Sequence, residues 1–149
     1  MIFLFDTNIM LIYLRNQLAK QVLENVYQPF NLQNERVISA VTAGELKAIS
    51  LKNEWGKAKI QRMENFLSEF VVIDINSEQI LNRYAEIDAF SQGRLDGKIS
   101  NFTARNMGKN DLWIAATASV LDAILLTTDN DFNHLHNEFL QVAKIDLTK

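Results

Sequence analysis

Apolar residues recur along this chain with two alternating periods, short continuous runs and stripes spaced three or four apart. Ile2–Phe5 is an apolar run stopped by Asp-Thr-Asn, which reads as a buried strand feeding a turn. Ile9, Ile12, Leu18, Val22, Leu23 and Val26 follow at near-helical spacing and predict one helix with one buried face, ended by Pro29. Residues 31–35 read as a loop. A second β-type run spans residues 36–40, and Thr42-Ala-Gly-Glu45 then opens another helix.

Ile60, Met63, Phe66, Leu67 and Phe70 stripe a further helix, followed by the strand-like residues 71–74. Ser77 caps the next helix, whose stripe is Ile80, Leu81, Tyr84, Ile87 and Phe90. Between residues 91 and 110 the periodicity fades and Gly93, Gly97 and Gly108 appear, predicting a surface excursion over a site, with mainly basic charges. Asn110 starts a strong helix that leads through Asp122 into an apolar strand over residues 123–126. The polar turn Thr127-Thr-Asp-Asn-Asp131, a short helix and a strand over residues 141–145 complete the pattern. Strands alternating with helices predict an α/β fold, a mostly parallel sheet covered on both faces.

In such a sheet ligands bind at the carboxyl edge of the strands, and four acids fall there. Asp6 follows the first strand, Glu45 lies in the first turn of the helix after the second, and Asp129 follows the late strand. Asp111 opens the helix that runs back toward that strand's start. Each also has a local explanation. Thr42-x-x-Glu45 fits a capping box, Asp111 suits a helix N-terminus, and Asp6 and Asp129 suit turns. Four such coincidences at one rim are harder to accept than a shared purpose. Clustered carboxylates raise one another's pKa unless a cation compensates them. With no cysteine or histidine in the set, the hard oxygen ligands select Mg2+ or Mn2+, and the chemistry such an ion supports is phosphodiester hydrolysis.

Composition narrows this further. At 149 residues, with 48% hydrophobic and 22% charged residues, the chain is expected to be one globular domain over residues 1–149. The absence of cysteine removes disulfides and thiolate chemistry. The first apolar run is too short and lacks the basic flank of a signal peptide, and no run approaches a membrane span. A cytoplasmic protein with no membrane partner is therefore expected.

The net charge of −3 looks unfavourable for a nucleic-acid binder. Setting aside four of the 18 acids, however, leaves 14 against 15 basic residues. Arg94, Lys98, Arg105, Lys109 and Lys47 are then candidates for flanking phosphates, or else solvated surface charges.

At these same residues the chain resembles the PIN-domain nucleases, and within them the VapC-type toxins of bacterial toxin-antitoxin pairs. Phe5-Asp6-Thr7-Asn8 is similar to the family's first acidic motif, and Thr42-Ala-Gly-Glu45-Leu46 to the second. Residues 110–117, Asn-Asp-Leu-Trp-Ile-Ala-Ala-Thr, are similar to the third, and residues 126–132, Leu-Thr-Thr-Asp-Asn-Asp-Phe, to the fourth. The resemblance implies a three-layer α/β/α sandwich, Mg2+- or Mn2+-dependent cleavage of an RNA substrate, a cognate antitoxin protein as partner, and a homodimer. It makes Asp6, Glu45, Asp111 and Asp129 the catalytic and metal-binding acids, with Thr7, Asn8, Thr128 and Asn110 orienting them or holding water.

Asp131 is read as a cap of the next short helix. His134 and His136 are read as surface residues. Trp55 and Trp113 have the ring for base stacking, but Trp113 falls on an apolar helix face and is read as core. Asp74, Asp88, Asp96 and Asp122 are read as solvated or turn residues. A phosphatase or receiver-type protein would want a second aspartate two residues after Asp6, where Asn8 stands. The four acids would also be compatible with a catalytically silent PIN-like scaffold or a non-toxin housekeeping nuclease.

Overall fold

The computed structural model describes residues 1–15 and 17–146. Five strands form one sheet: β1 (Ile2–Phe5), β2 (Glu35–Ser39), β3 (Val71–Ile73), β4 (Ile124–Thr127) and β5 (Gln141–Lys144). Their order is β3-β2-β1-β4-β5 and every pairing is parallel. The chain builds outward from β1 through β2 to β3, then crosses back to place β4 on the other side of β1. The β1/β4 boundary is thus a topological switch point, where an α/β sheet leaves a crevice at its carboxyl edge.

Side chains alternate across the strands. Phe3, Phe5, Ile38 and Leu126 enter one core, with α1 (Thr7–Arg15), α2 (Gln17–Tyr27), α3 (Ala40–Lys52) and α4 (Lys57–Leu67) supplying most of its other residues. Leu4, Val37 and Leu125 enter the second core with α5 (Glu78–Ser91), α6 (Lys109–Leu121) and a short 3-10 helix, Asn130–Leu135. The period of two thus builds a three-layer sandwich with a core on each face of the sheet. A cluster of Phe5, Tyr13, Phe30, Phe66 and Phe70, with ring centroids 4.8–6.1 Å apart, backs the end of β1.

The single helix expected after β1 is two. In α2 the buried residues are Ala19 and Leu23, whereas Leu18, Val22 and Val26 are 78%, 50% and 64% exposed. The buried Ile9, Ile12, Ala19 and Leu23 keep one helical phase, and Leu18, Val22 and Val26, counted in the same stripe, repeat every four residues on another face. α2 ends at Tyr27. Gln28 takes the left-handed conformation at φ 49°, its N–H bonded to the Glu24 carbonyl, and Pro29 follows.

α3 begins at Ala40 rather than at Thr42. Ser39 is its N-cap, accepting the Val41 N–H at 3.1 Å, so the capping box that offered a local explanation for Thr42 and Glu45 does not start this helix. α6 starts one residue before Asn110, with Gly108 in the cap position. The excursion after α5 leaves the helix through Gly93, at φ 72°, and is anchored: Leu95, Phe102 and Met107 pack on the α5/α6 core. Among the described residues no helix is long and apolar enough to cross a membrane.

Candidate active site

Asp6 stands at the switch point, one residue past β1. Its N–H continues the sheet by donating to the Leu126 carbonyl at 3.0 Å, while its own carbonyl starts α1 by accepting from Ile9 and Met10. The carboxylate is only 5% exposed. One oxygen accepts the Thr7 N–H at 2.8 Å and the other the Thr127 hydroxyl at 2.7 Å. Burial pushes the Asp6 carboxyl above its ordinary pKa; those two bonds oppose the shift, and the charges of Glu45 and Asp129 add to it.

Glu45 reaches the same place from α3. The Thr7 hydroxyl donates to its Oε1 at 2.9 Å. That hydroxyl also lies 3.2 Å from the buried Thr42 hydroxyl, and since it has one proton, Thr42 is the donor in that pair. Thr42 therefore supports the residue that holds Glu45.

Asp111, in the first turn of α6, is pushed up to about 7. Desolvation is the largest cause, followed by the charges of Asp6, Asp129, Asp131 and Glu45. A favourable helix N-terminus alone acts in the other direction, so the upward shift reports burial together with a crowd of carboxylates. Asp129 follows β4 and caps the 3-10 helix, accepting the Asp131 N–H at 2.9 Å, and its own N–H rests on the Thr127 hydroxyl oxygen at 3.0 Å. Asp111, Asp129 and Asp131 each offer a carboxylate oxygen, all within 4.8 Å of one another. Oxygens at that spacing suit a shared cation.

Of the four acids singled out by sequence, Asp111 and Asp129 thus come together with Asp131, while Asp6 and Glu45 are joined to each other through Thr7 and act on Asp111 by charge. The cap role expected for Asp131 belongs to Asp129, two residues earlier. The threonine that holds Asp6 is Thr127, the last residue of β4 and fully buried, rather than Thr128. Asn8 is exposed, and Asn110 lies with Glu45 on a separate groove.

His134 is not a surface residue. Its Nε2 lies 2.7 Å from the buried Ser91 hydroxyl, its ring meets Phe102 edge-on at 4.9 Å, and burial and the Arg105 charge lower it to about 4. His136 is exposed and its Nδ1 accepts the Val142 N–H. Trp113 packs on Tyr84, and Trp55 is buried under Arg15 and Lys59. Lys98 is committed to Glu138 at 3.0 Å and to the Phe139 ring, so it is removed from the phosphate candidates.

The PIN domain family model matches residues 3–138. Ribonuclease VapC1 of Haemophilus influenzae strain R2866 is 35% identical over 131 residues, covering 85% of this chain and 86% of the relative. Among solved structures, VapBC-1 from nontypeable Haemophilus influenzae matches at TM-score 0.71 and 29% identity, covering 97% of this chain and 98% of that one. A toxin-antitoxin complex from Klebsiella pneumoniae matches at TM-score 0.65 and 26% identity, covering 95% and 98%. The acids at the switch point, the sheet order and these likenesses agree, and the chain belongs to the PIN-domain family, alongside the VapC ribonucleases.

Proposed function

We propose that this chain, as one nuclease domain over residues 1–149, is a Mg2+- or Mn2+-dependent endoribonuclease. In this reading it acts in the cytoplasm as the toxin of a type II toxin-antitoxin pair, restrained by a small cognate antitoxin. The observation that carries the reading is the gathering of carboxylates at the switch point, where Asp111, Asp129 and Asp131 bring oxygens within 4.8 Å of one another, and where burial first, then the charges of Asp6, Asp129, Asp131 and Glu45, push Asp111 up to about 7. The ribonuclease relative and the toxin-antitoxin complexes support the choice of substrate and partner.

The residues present fit a divalent ion. Their donors are hard carboxylate oxygens, the chain has no cysteine, and the nearby His134 ring is engaged with Ser91. Asp6, Glu45, Asp111 and Asp129 would hold the ion, with Asp131 beside them. When bound, it supplies Lewis-acid stabilisation of charge on the phosphoryl and leaving oxygens and activates water for attack.

The protein's own contribution is orientation. Thr7 serves two acids at once, its N–H fixing Asp6 and its hydroxyl fixing Glu45. Thr127 does the same across the switch point, donating to Asp6 and accepting from the Asp129 N–H. These bonds hold the carboxylates in place before any ligand arrives, which lowers the reorganisation that binding requires.

The test is cleavage of RNA by the purified chain freed of any partner. Cleavage is expected with added Mg2+ or Mn2+ and is expected to stop in EDTA. It is expected to fall about 100-fold or more in Asp6→Asn, an order of magnitude typical for loss of one preorganised charged group. Undiminished cleavage by a folded Asp6→Asn protein contradicts the reading.

A further inference from the structure

Beside the acid cluster, the strap formed by residues 103–107 and the wall formed by Asp131 enclose an open groove of about 340 Å3. Asp131 belongs to both the groove and the carboxylate trio, so the groove opens directly onto the site. Its far side is made by Thr103, Ala104, Arg105, Asn106 and Met107.

The strap is fixed rather than draped. The Arg105 N–H donates to the Ser91 carbonyl at 2.8 Å, and Met107 is 7% exposed with its sulfur 3.3 Å from the Ser91 hydroxyl. That same hydroxyl lies 2.7 Å from His134 Nε2, on the 3-10 helix that begins with the Asp129 cap. A single buried residue at the end of α5 therefore ties the strap to the helix carrying Asp131, and it sets the separation between the groove's two walls.

Within this groove the Arg105 guanidinium makes no hydrogen bond or ion pair with any described residue, and its residue is exposed. Lys98 on the same excursion is bound to Glu138, and Arg36 and Arg83 are bound to Pro29 and Ser119. An unpaired guanidinium carried on a fixed backbone, next to a wall of acids, calls for an anion. Its planar fork matches a phosphate diester. The amide of Asn106 and the hydroxyl of Thr103 add neutral hydrogen-bonding groups of the kind that meet sugar and base edges.

We propose that this groove takes the RNA nucleotide adjoining the scissile bond and that Arg105 holds its phosphate. The assignment rests on the ribonuclease reading above. It places one phosphate contact on the Asp131 side of the site, and Arg105 differs from Arg94, Lys98 and Lys109 in lining this groove.

The test compares Arg105→Ala, Arg105→Lys and, as a charge-matched control on the opposite layer, Arg62→Ala, in cleavage of a single-stranded RNA in Mn2+ over a range of salt. Arg105→Ala is expected to raise KM about tenfold, to leave kcat within about twofold, and to reduce the slope of log KM against log salt by about 1. Arg105→Lys should recover part of the KM, since it keeps the charge and loses the fork. Arg62→Ala should match wild type.

Unchanged KM and salt slope in Arg105→Ala, with wild type cutting normally, overturn the assignment alone. The same loss in Arg62→Ala overturns it in favour of a general charge effect, and weakened antitoxin binding with an unchanged RNA KM overturns it in favour of a protein contact. A wild-type chain that does not cut RNA overturns the ribonuclease reading and this assignment with it.

Discussion

Asp6 and Asp111 show how differently one crowd of charges treats two carboxyls. Asp6 is the more buried, but it accepts an N–H and a hydroxyl that favour its ionised form. Among the causes of the shift at Asp111 there is no such bond, so desolvation and four neighbouring charges act unopposed. His134 shows the opposite case, a base held neutral by its surroundings. Its folded pKa, about 4, lies below the ordinary 6.5, so the unfolded chain binds more protons between those values. Stability from this group is complete above about 6.5 and is lost as pH falls toward 4. Asp111, raised to about 7, pulls the other way over much of the same range, so the His134 contribution must be isolated by difference. In denaturant melts at pH 7 and pH 4.5, wild type is expected to lose more stability on acidification than His134→Gln does. Equal losses in the two proteins would show that His134 is not the buried neutral base described.

At the scale of elements, what the chain disclosed and what it withheld follow from the range of the interactions. Strand positions and both faces of the sheet were legible because runs such as Ile2–Phe5 are continuously apolar, as strands covered on both faces are. Asp6, Asp111 and Asp129 were legible because each stands at a strand end or a helix start, whereas Glu45, expected in the first turn of its helix, lies in the second turn of α3, which begins at Ala40. The buried face of α2 was not, since the exposed Leu18, Val22 and Val26 repeat as regularly as a buried stripe would. Nor was the choice of cap. Ser39 and Thr42 both suit a helix start, and the strand β2 decides by running to Ser39. Asp131 and His134 escaped for a related reason, because their partners, Asp111 and Ser91, are distant in sequence. The cap assignment is open to measurement. Ser39→Ala should cost about 1 kcal/mol in denaturant unfolding through loss of the bond to the Val41 N–H. A cost near zero would mean that α3 does not depend on Ser39 for its start.

For the whole molecule, topology is what brings the chemistry together. Asp6 and Asp129 are far apart in sequence, yet they flank one crevice because β4 returns to pair with β1 after β3 has been laid at the far edge. α3 carries Glu45 to the same edge from one layer of the sandwich and α6 carries Asp111 from the other. The Thr7 hydroxyl then ties α1 to Glu45 on α3, and the Thr127 hydroxyl ties the end of β4 to Asp6 at the end of β1. Such an arrangement concentrates negative charge at the carboxyl edge of the sheet, and an ion that binds the folded state alone should relieve it. By linkage, a ligand at 100 times its Kd stabilises the fold by about 2.7 kcal/mol.

Calorimetric titration of the metal-stripped chain with Mn2+ decides whether the gathered carboxylates form a metal site. Saturable uptake is expected in wild type, and its loss is expected in Asp6→Asn and Asp111→Asn proteins that keep the wild-type circular dichroism. Absence of saturable uptake by wild type, or undiminished uptake by both folded variants, would contradict a metal site built from these acids.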